Sequence, residues 1–404
     1  MKIIHISQHY YDGFGYDENL LPRYQKKYGH EVIMVTSTKG ILIQTDKVKG
    51  VKKEESEYED NSVRIIRLPI YGEFKRRFVV FKDLESVLIR EKPDYIYHHG
   101  ITQPSIFTAI KYKRNHPSVF LVADCHADLN SSGRKYIWKL FYYNKLWHTL
   151  LKKNNKYIDL IFGVTPARCY FANEELGIPW PLIRFLPLGA DEDLANEVLK
   201  EKKEKTQKKE FNIITGGKIT KEKNIVSLFK AVYDLDVNLR IFGSIPGEIK
   251  RLIEDYINKG LKVELYGWQD RRSTLKLLSD SDIAIWNRQH TTLIEDAISV
   301  MTPLILRYHG STSHLIRGNG FYLYSDNPLE IKTYIECIIK NQGVLEEMRR
   351  HTKEMLNMLS YNRIAKESID YYYDKVPKES HVFFMNSFMC NPNNDEFRKL
   401  PKLK

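Results

Sequence analysis

Several short segments of this 404-residue chain place glycine, lysine or histidine directly after an apolar run, where a backbone turn could present them to a ligand. The first is Tyr11-Asp12-Gly13-Phe14-Gly15-Tyr16, ahead of a helical stretch from Asp17. Gly13 and Gly15 let backbone N–H groups approach a diphosphate at the positive end of that helix. Glu18 occupies the place of the third glycine in a dinucleotide fingerprint, so a tight turn is the competing reading. A second segment, Thr215-Gly216-Gly217-Lys218-Ile219-Thr220-Lys221-Glu222-Lys223-Asn224, joins open backbone to fixed positive charge before a helix. That composition suits phosphate, although the Walker spacing is absent and a solvated basic turn would look the same. A third, Asn287-Arg288-Gln289-His290-Thr291-Thr292, precedes a helix carrying Glu295 and Asp296. Amides and hydroxyls of Gln289–Thr292 suit phosphate oxygens, and a carboxylate one turn in suits ribose hydroxyls. The same acids could simply favour the helix dipole.

Histidines cluster at two further strand ends. Asp124-Cys125-His126-Ala127-Asp128 could orient a sugar hydroxyl or donate to a leaving phosphate through His126. His98-His99 end another strand, and a structural role competes in both cases. Zinc bound by these histidines is only weakly signalled, because strand-end spacing does not fix tetrahedral ligands.

The elements that must position these groups alternate. Strands are expected at Lys2–Ser7, Val32–Ser37, Val63–Leu68, Asp94–His98, Val119–Ala123, Ile158–Val164 and Leu182–Leu186. Helices are expected between them, among them Glu18–Tyr28, Asp83–Lys92, Gln103–Asn115 and Arg134–Lys153. The strands are continuous apolar runs, as in parallel sheets covered on both faces. A second series runs from Phe211 to Leu323 and turns wholly helical after Pro328. Between the two, Leu199–Glu210 is almost entirely Lys, Glu and Gln. The expected organisation is a first Rossmann-like domain over 1–198, a charged linker over 199–210 and a second domain over 211–360. A helix over 361–376 returning to the first domain and a tail over 377–404 follow. The expected fold is α/β: two doubly wound domains with a ligand cleft at the carboxyl ends of both sheets.

Composition excludes several classes. No run approaches the ~18 apolar residues of a membrane-spanning helix, and Met1–Ser7 is no signal peptide, so a cytoplasmic protein is expected. Cys125, Cys169, Cys337 and Cys390 form no C-x-x-C pair, which speaks against a disulfide framework. The net charge of +12 favours phosphate-bearing partners. Nucleic acid is disfavoured, since the basic residues are dispersed and recognition motifs are absent.

Together the loops resemble the retaining, family-four glycosyltransferases (glycosyl transferases group 1) of the GT-B fold, over nearly the whole chain to about Asp374. Tyr28-Gly29-His30-Glu31-Val32 is similar to the family's R-G-H-E-V, and Leu186-Pro187-Leu188-Gly189-Ala190-Asp191 to its I-P-N-G-V-D. Gly217-Lys218 with Lys223 matches G-R-x-x-x-x-K, whose basic pair grips the donor diphosphate in the family. Leu239-Arg240-Ile241-Phe242-Gly243 and Val263-Glu264-Leu265-Tyr266-Gly267-Trp268 match two strand-to-glycine turns. His126 falls on the family's sugar-contacting histidine. The chain departs where the family has two glutamates eight apart: aligning on Thr302-Pro303 puts Asp296 on the second and Arg288 on the first. A shift of one residue gives Glu295 and Asn287 instead. Leu188 replaces the family's Asn, and His314 lies where a Glu often follows the glycine turn.

The resemblance implies retaining transfer from a nucleotide diphosphate sugar, in bacterial polysaccharide, glycan or glycolipid assembly. His126, Lys218 and Lys223 would carry the chemistry. Gly13, Gly15, Gly217, Gln289, His290, Thr291, Thr292, Glu295 and Asp296 would bind the donor, and Tyr16, His99 and Asp128 the acceptor. No cofactor is implied. With two lysines at the diphosphate and no D-x-D at a strand end, metal is not required. The acceptor would be a glycan or a lipid- or protein-linked sugar. Arg134–Lys153 interleaves aromatic and basic residues, as does Phe74–Phe78, so it either lies on anionic lipid at the inner face of the membrane or packs against the sheet. A sugar-nucleotide epimerase or hydrolase of the same fold, and a catalytically degenerate sugar-nucleotide-binding protein, are the rival readings.

Overall fold

A computed structural model of the chain describes residues 1–44, 47–74, 78–133, 135–201, 210–288, 290–376 and 395–401. The described residues fall into two compact units. One lies within Met1–Leu42, Val48–Leu188 and Tyr361–Lys399; the other lies within Gly189–Ser360, with short pieces of 43–47 and 400–404.

The first unit is built on an eight-stranded sheet. From one edge its strands run Ile183–Phe185, Leu160–Gly163, Phe120–Cys125, Tyr95–His98, Lys2–Ser7, Glu31–Ser37, Val63–Leu68 and Ser56–Asp60. All neighbours pair in parallel except the last two, which are antiparallel. Chain order reverses between Lys2–Ser7 and Tyr95–His98, the switch point where open α/β sheets bind ligands. Helices Asp17–Lys27, Leu84–Glu91, Ser105–Asn115 and Pro166–Glu174 connect the strands. Helix Tyr361–Tyr372 belongs here too, with Tyr361, Ile364, Ala365 and Ile369 in one core with Leu20, Leu21, Tyr24, Tyr97 and Phe162.

Unforeseen from the sequence are two two-stranded sheets, Lys39–Gln44 with Lys47–Lys52 and the antiparallel pair Ile70–Phe74 with Phe78–Phe81. Also unforeseen is the edge strand Ser56–Asp60. Its SEYED sequence is too acidic to read as core, and an edge strand with solvated side chains needs no apolar run.

The second unit carries six parallel strands in the order Val263–Gly267, Val237–Phe242, Phe211–Gly216, Ile283–Trp286, Leu304–Arg307 and Gly320–Leu323. Its switch point lies between Phe211–Gly216 and Ile283–Trp286. The boundary falls at Leu188/Gly189, ten residues before the expected one. The reason is helix Glu192–Glu201, charged outside but burying Ala195 and Val198 in the core of the second unit with Leu275, Leu278 and Ile298. Of the expected linker, 199–201 continue this helix and 202–209 lie outside the described residues, as do 377–394 of the expected tail.

Candidate functional site

At the second unit's switch point the strand Phe211–Gly216 ends in a turn that only glycine tolerates. Gly217 has φ +96°, and a Cβ there would stand 3.0 Å from Leu293 Cδ1, 3.3 Å from Lys223 Nζ and 4.0 Å from Thr291 Oγ1. The glycine of one loop, the lysine closing it and a hydroxyl of the Asn287–Thr292 loop thus meet around one point. Lys223 Nζ donates to the Gly216 carbonyl at 3.5 Å, and Trp286 Nε1 donates to the same oxygen at 3.1 Å. Burial lowers the Lys223 ammonium to about 8. Lys218 is exposed. Asn224 adopts the left-handed conformation ahead of helix Ile225–Val232, and Asn287 Nδ2 holds its carbonyl at 2.9 Å.

The structure separates the two carboxylates that the sequence left interchangeable. Glu295, fully buried, faces the loop: His290 Nε2 lies 2.8 Å from its Oε1, while its Oε2 has no hydrogen-bond partner. Asp296 Oδ1 accepts from Arg271 Nη2 at 3.2 Å, and Arg271 Nε lies 3.5 Å from Asp191. Burial raises the Asp296 carboxyl to about 6 against the pull of Arg271. Arg288 pairs with Asp326 at 2.6 Å. Thr292 is half-buried, and Gln289 lies outside the described residues.

In the first unit the loop after Lys2–Ser7 exposes Gly13 (φ +76°) and Tyr16, whose ring stacks on Phe14 at 5.4 Å; Gly15 is half-buried between them. Beneath it, five side chains meet at the switch point. His99 Nδ1 lies 3.1 Å from Asp124 Oδ2 and 3.5 Å from Asp17 Oδ2, and His126 Nε2 lies 3.3 Å from Asp124 Oδ2. His5 Nδ1 is 2.9 Å from His99 Nε2. Burial pushes His5 well below its usual value. Burial opposes a charged His99, but Asp124 and Asp17 raise it to about 10. Desolvation likewise opposes ionisation of Asp124, yet His126 and His99 hold its carboxyl below the usual range. His126 is raised, Asp124 outweighing burial. Its side chain keeps 37% of its surface exposed, so this imidazole is the member of the cluster that a ligand can reach.

Two of the expected acceptor contacts are buried. His99 keeps only 2% of its side-chain surface, under the loop, where it can act on a ligand only through its neighbours. Asp128 is buried and holds its own turn, its Oδ1 accepting from the backbone N–H of Asn130 at 2.9 Å and of Ser131 at 2.7 Å. Sequence reasoning set Asp124 beside His126 but missed Asp17, which lies 107 positions earlier than Asp124 at the start of a helix.

No family model matches this chain, and no curated protein matches it in sequence. Solved structures do match its shape. A glycosyltransferase from Rickettsia africae ESF-5 aligns with TM-score 0.65 at 14% identity, over 93% of this chain and 99% of its own. Sucrose-phosphate synthase from Thermosynechococcus elongatus aligns with TM-score 0.66 at 14% identity, over 92% and 98%. HepE of Anabaena, solved with UDP and glucose, aligns with TM-score 0.63 at 12% identity, over 93% and 100%. Likeness at this level over nearly the full length of both partners shows the architecture: the chain has the GT-B fold, two Rossmann-like α/β units in tandem.

Proposed function

We propose that this protein is a glycosyltransferase that moves a sugar from a nucleotide diphosphate donor to an acceptor hydroxyl with retention, in bacterial polysaccharide, glycan or glycolipid assembly. The observation that carries the reading is the convergence of Gly217, Lys223 and Thr291 at a switch point. A bare glycine turn, a lysine and a hydroxyl form a cradle for phosphate oxygens. Glu295, with one buried oxygen unpartnered, is the carboxylate suited to the ribose hydroxyls. HepE, of the same fold, was solved with UDP-glucose, which supports a uridine diphosphate donor. Lys218 and Lys223 stabilise charge on the departing diphosphate, so transfer needs no metal there. The acceptor hydroxyl approaches on the face the diphosphate leaves. The reading is tested with a panel of nucleotide sugars, with and without glycan and lipid-linked acceptors. Acceptor-dependent release of nucleoside diphosphate with a new glycosidic bond supports it. Isomerisation or hydrolysis of the donor alone sinks it in favour of an epimerase or hydrolase.

Lys223→Ala should weaken UDP binding by about 1.5–3 kcal/mol, the loss of a charge-assisted contact, and Lys218→Ala should weaken it in the same direction. The pH profile should identify Lys223. Its folded-state value of about 8 lies below the ordinary 10.5, so the free protein loses this cation as pH rises through about 8. UDP affinity therefore falls above that pH. In the same window stability rises, because the unfolded chain binds the proton more tightly. Calorimetric titration from pH 6.5 to 9.5 checks this: a slope that persists in Lys223→Ala removes the assignment.

The segment Tyr136–Asn154 is consistent with a peripheral position on anionic membrane. Over Lys139–Trp147 it winds as a π-helix. One face buries Tyr142, Tyr143, Trp147 and Leu151; the other exposes Tyr136, Ile137, Phe141 and Leu146. With Phe78, Lys135 and Trp138 these exposed residues line an apolar groove of about 670 Å³. The buried face fits packing against the unit, and the exposed face supports the reading as a lipid-facing surface. Among the described residues no helix is long and apolar enough to cross a membrane. Co-sedimentation with phosphatidylglycerol vesicles should be strong at low salt and decline as salt screens Lys135, Lys139 and Lys145. Absence of binding at low salt would make the face an interaction surface for something other than lipid.

A further inference from the structure

The buried cluster of the first unit gathers two carboxylates and three imidazoles. The tautomers follow from its far end. Ser368 Oγ donates to the Ala365 carbonyl at 2.6 Å, so it accepts from Gln25 Nε2 at 2.9 Å. That fixes the Gln25 amide, whose Oε1 must accept from His5 Nε2 at 2.6 Å. His5, kept neutral by burial, then has its proton on Nε2, and its Nδ1 accepts from His99 Nε2. The remaining nitrogen, His99 Nδ1, is turned toward two carboxylate oxygens, Asp124 Oδ2 and Asp17 Oδ2, so positive charge has to sit between them.

A proton would satisfy that need through a short, aligned hydrogen bond. Here none of Asp17 Oδ2, Asp124 Oδ2, His99 Nδ1 or His126 Nε2 has a hydrogen-bond partner, although all are buried atoms 3.1–3.5 Å from a neighbour in the group. Ligand atoms on a tetrahedral ion with bonds of about 2.0–2.2 Å stand about 3.3–3.5 Å apart, and His126 Nε2 stands 3.3 Å from Asp124 Oδ2. The other oxygen of each carboxylate is already fixed: Tyr361 Oη donates to Asp17 Oδ1 at 3.1 Å, and the Gly100 N–H donates to Asp124 Oδ1 at 2.6 Å. Such outer partners aim the free oxygens inward, as supporting groups do in metal sites. One ligand atom each from Asp17, Asp124 and His126 lies within 4.8 Å of the other two.

We propose that Asp17, Asp124 and His126 bind a divalent cation of the zinc type, with His99 closing the cluster beside it and the fourth position open. One nitrogen and two carboxylate oxygens suit a borderline ion, and three protein ligands leave room for water or a ligand hydroxyl. The site belongs to the first unit's own sheet, and the lysines proposed for the diphosphate belong to the second unit. When the ion occupies Nε2 of His126, the ring's proton resides on Nδ1, which is left to donate outward.

The test uses Co²⁺ as a spectroscopic probe on the full-length, chelator-treated protein without nucleotide, so its outcome is independent of glycosyl transfer. One equivalent should saturate, with visible absorption bands of tetrahedral or five-coordinate cobalt that Zn²⁺ displaces. His126→Ala and Asp17→Asn should each weaken binding about 100-fold or more, and Tyr361→Phe, which removes only a supporting donor, about 10-fold. Circular dichroism confirms that each variant is folded; Asp124→Asn is informative only if it passes that check, and the other variants do not depend on it. No saturable band in the folded wild type overturns the proposal and leaves a proton-only cluster. Binding that survives in both His126→Ala and Asp17→Asn also overturns it, placing the ion at another of the 13 histidines.

Discussion

Replacing His126 by alanine is expected to lower turnover about 10²-fold or more while leaving UDP affinity and the melting temperature of the cation-free protein nearly unchanged. The expectation rests on where the ring stands. It follows the strand Phe120–Cys125, its Nε2 lies 3.3 Å from the buried Asp124, and more than a third of its side chain is open to solvent. Asp124 favours a charged or cation-bound Nε2, and in either state Nδ1 carries a proton that can be donated to a sugar hydroxyl. Removing the ring deletes that positioning contact but no core packing. If His126 instead served only to hold its loop, the variant would melt lower and its residual activity would follow the folded fraction. Full activity in the folded variant would take His126 out of the site.

Gly243→Ala should produce the largest loss of stability among conservative changes in the second unit. Gly243 has φ +106°, and a Cβ there would fall 2.2 Å from the Gly217 carbonyl oxygen and 2.8 Å from the Gly217 carbon and nitrogen. These are backbone atoms tied in place, since the Gly217 N–H donates to the Phe242 carbonyl at 3.1 Å and the Gly243 N–H to that of Gly267 at 2.6 Å. The added methyl therefore cannot be relieved by a rotamer change. Strain and displacement together should cost about 2–4 kcal/mol, lowering the melting temperature by roughly 5–15 °C in a unit of this size. Because the atom displaced belongs to the proposed phosphate cradle, UDP affinity should fall in the variant even where it remains folded. Thermal melts with and without UDP read both effects, and wild-type behaviour in both would show that the turn relaxes freely.

The sheets were legible because strands buried on both faces must be apolar throughout: Ile3, Ile4 and Ile6, or Ile213 and Ile214, have no solvent-facing side on which to hide a polar pattern. His5, wholly buried within the first strand, is one of the exceptions, and its ring belongs to the cluster. The strand Ser56–Asp60, whose residues are all half-buried or exposed, gave no such signal. The glycine–lysine turn at Gly217–Lys223 was visible because its residues are contiguous. The Asp17–Asp124–His99 group was not, because only the parallel pairing of Lys2–Ser7 with Tyr95–His98, and of that strand with Phe120–Cys125, brings their loops together. The exchange of Glu295 for Asp296 turned on a single helical step, a difference that depends on Arg271 being near one and not the other.

Helix Tyr361–Tyr372 has a consequence for how the molecule is made. It supplies Tyr361, Ile364, Ala365 and Ile369 to a core whose other members lie between Ile3 and Leu186. A ribosome therefore delivers the rest of that core long before this piece. At about 5–20 residues per second, the 173 residues from Leu188 to Tyr361 take roughly 9–35 s to follow. Throughout that interval the growing chain presents Leu20, Leu21 and Tyr24 uncovered, a natural landing place for a chaperone. A chain ending prematurely between Leu323 and Tyr361 would stay in that state for good. It would carry a sticky face toward its neighbours even though every strand of both sheets had already been synthesised.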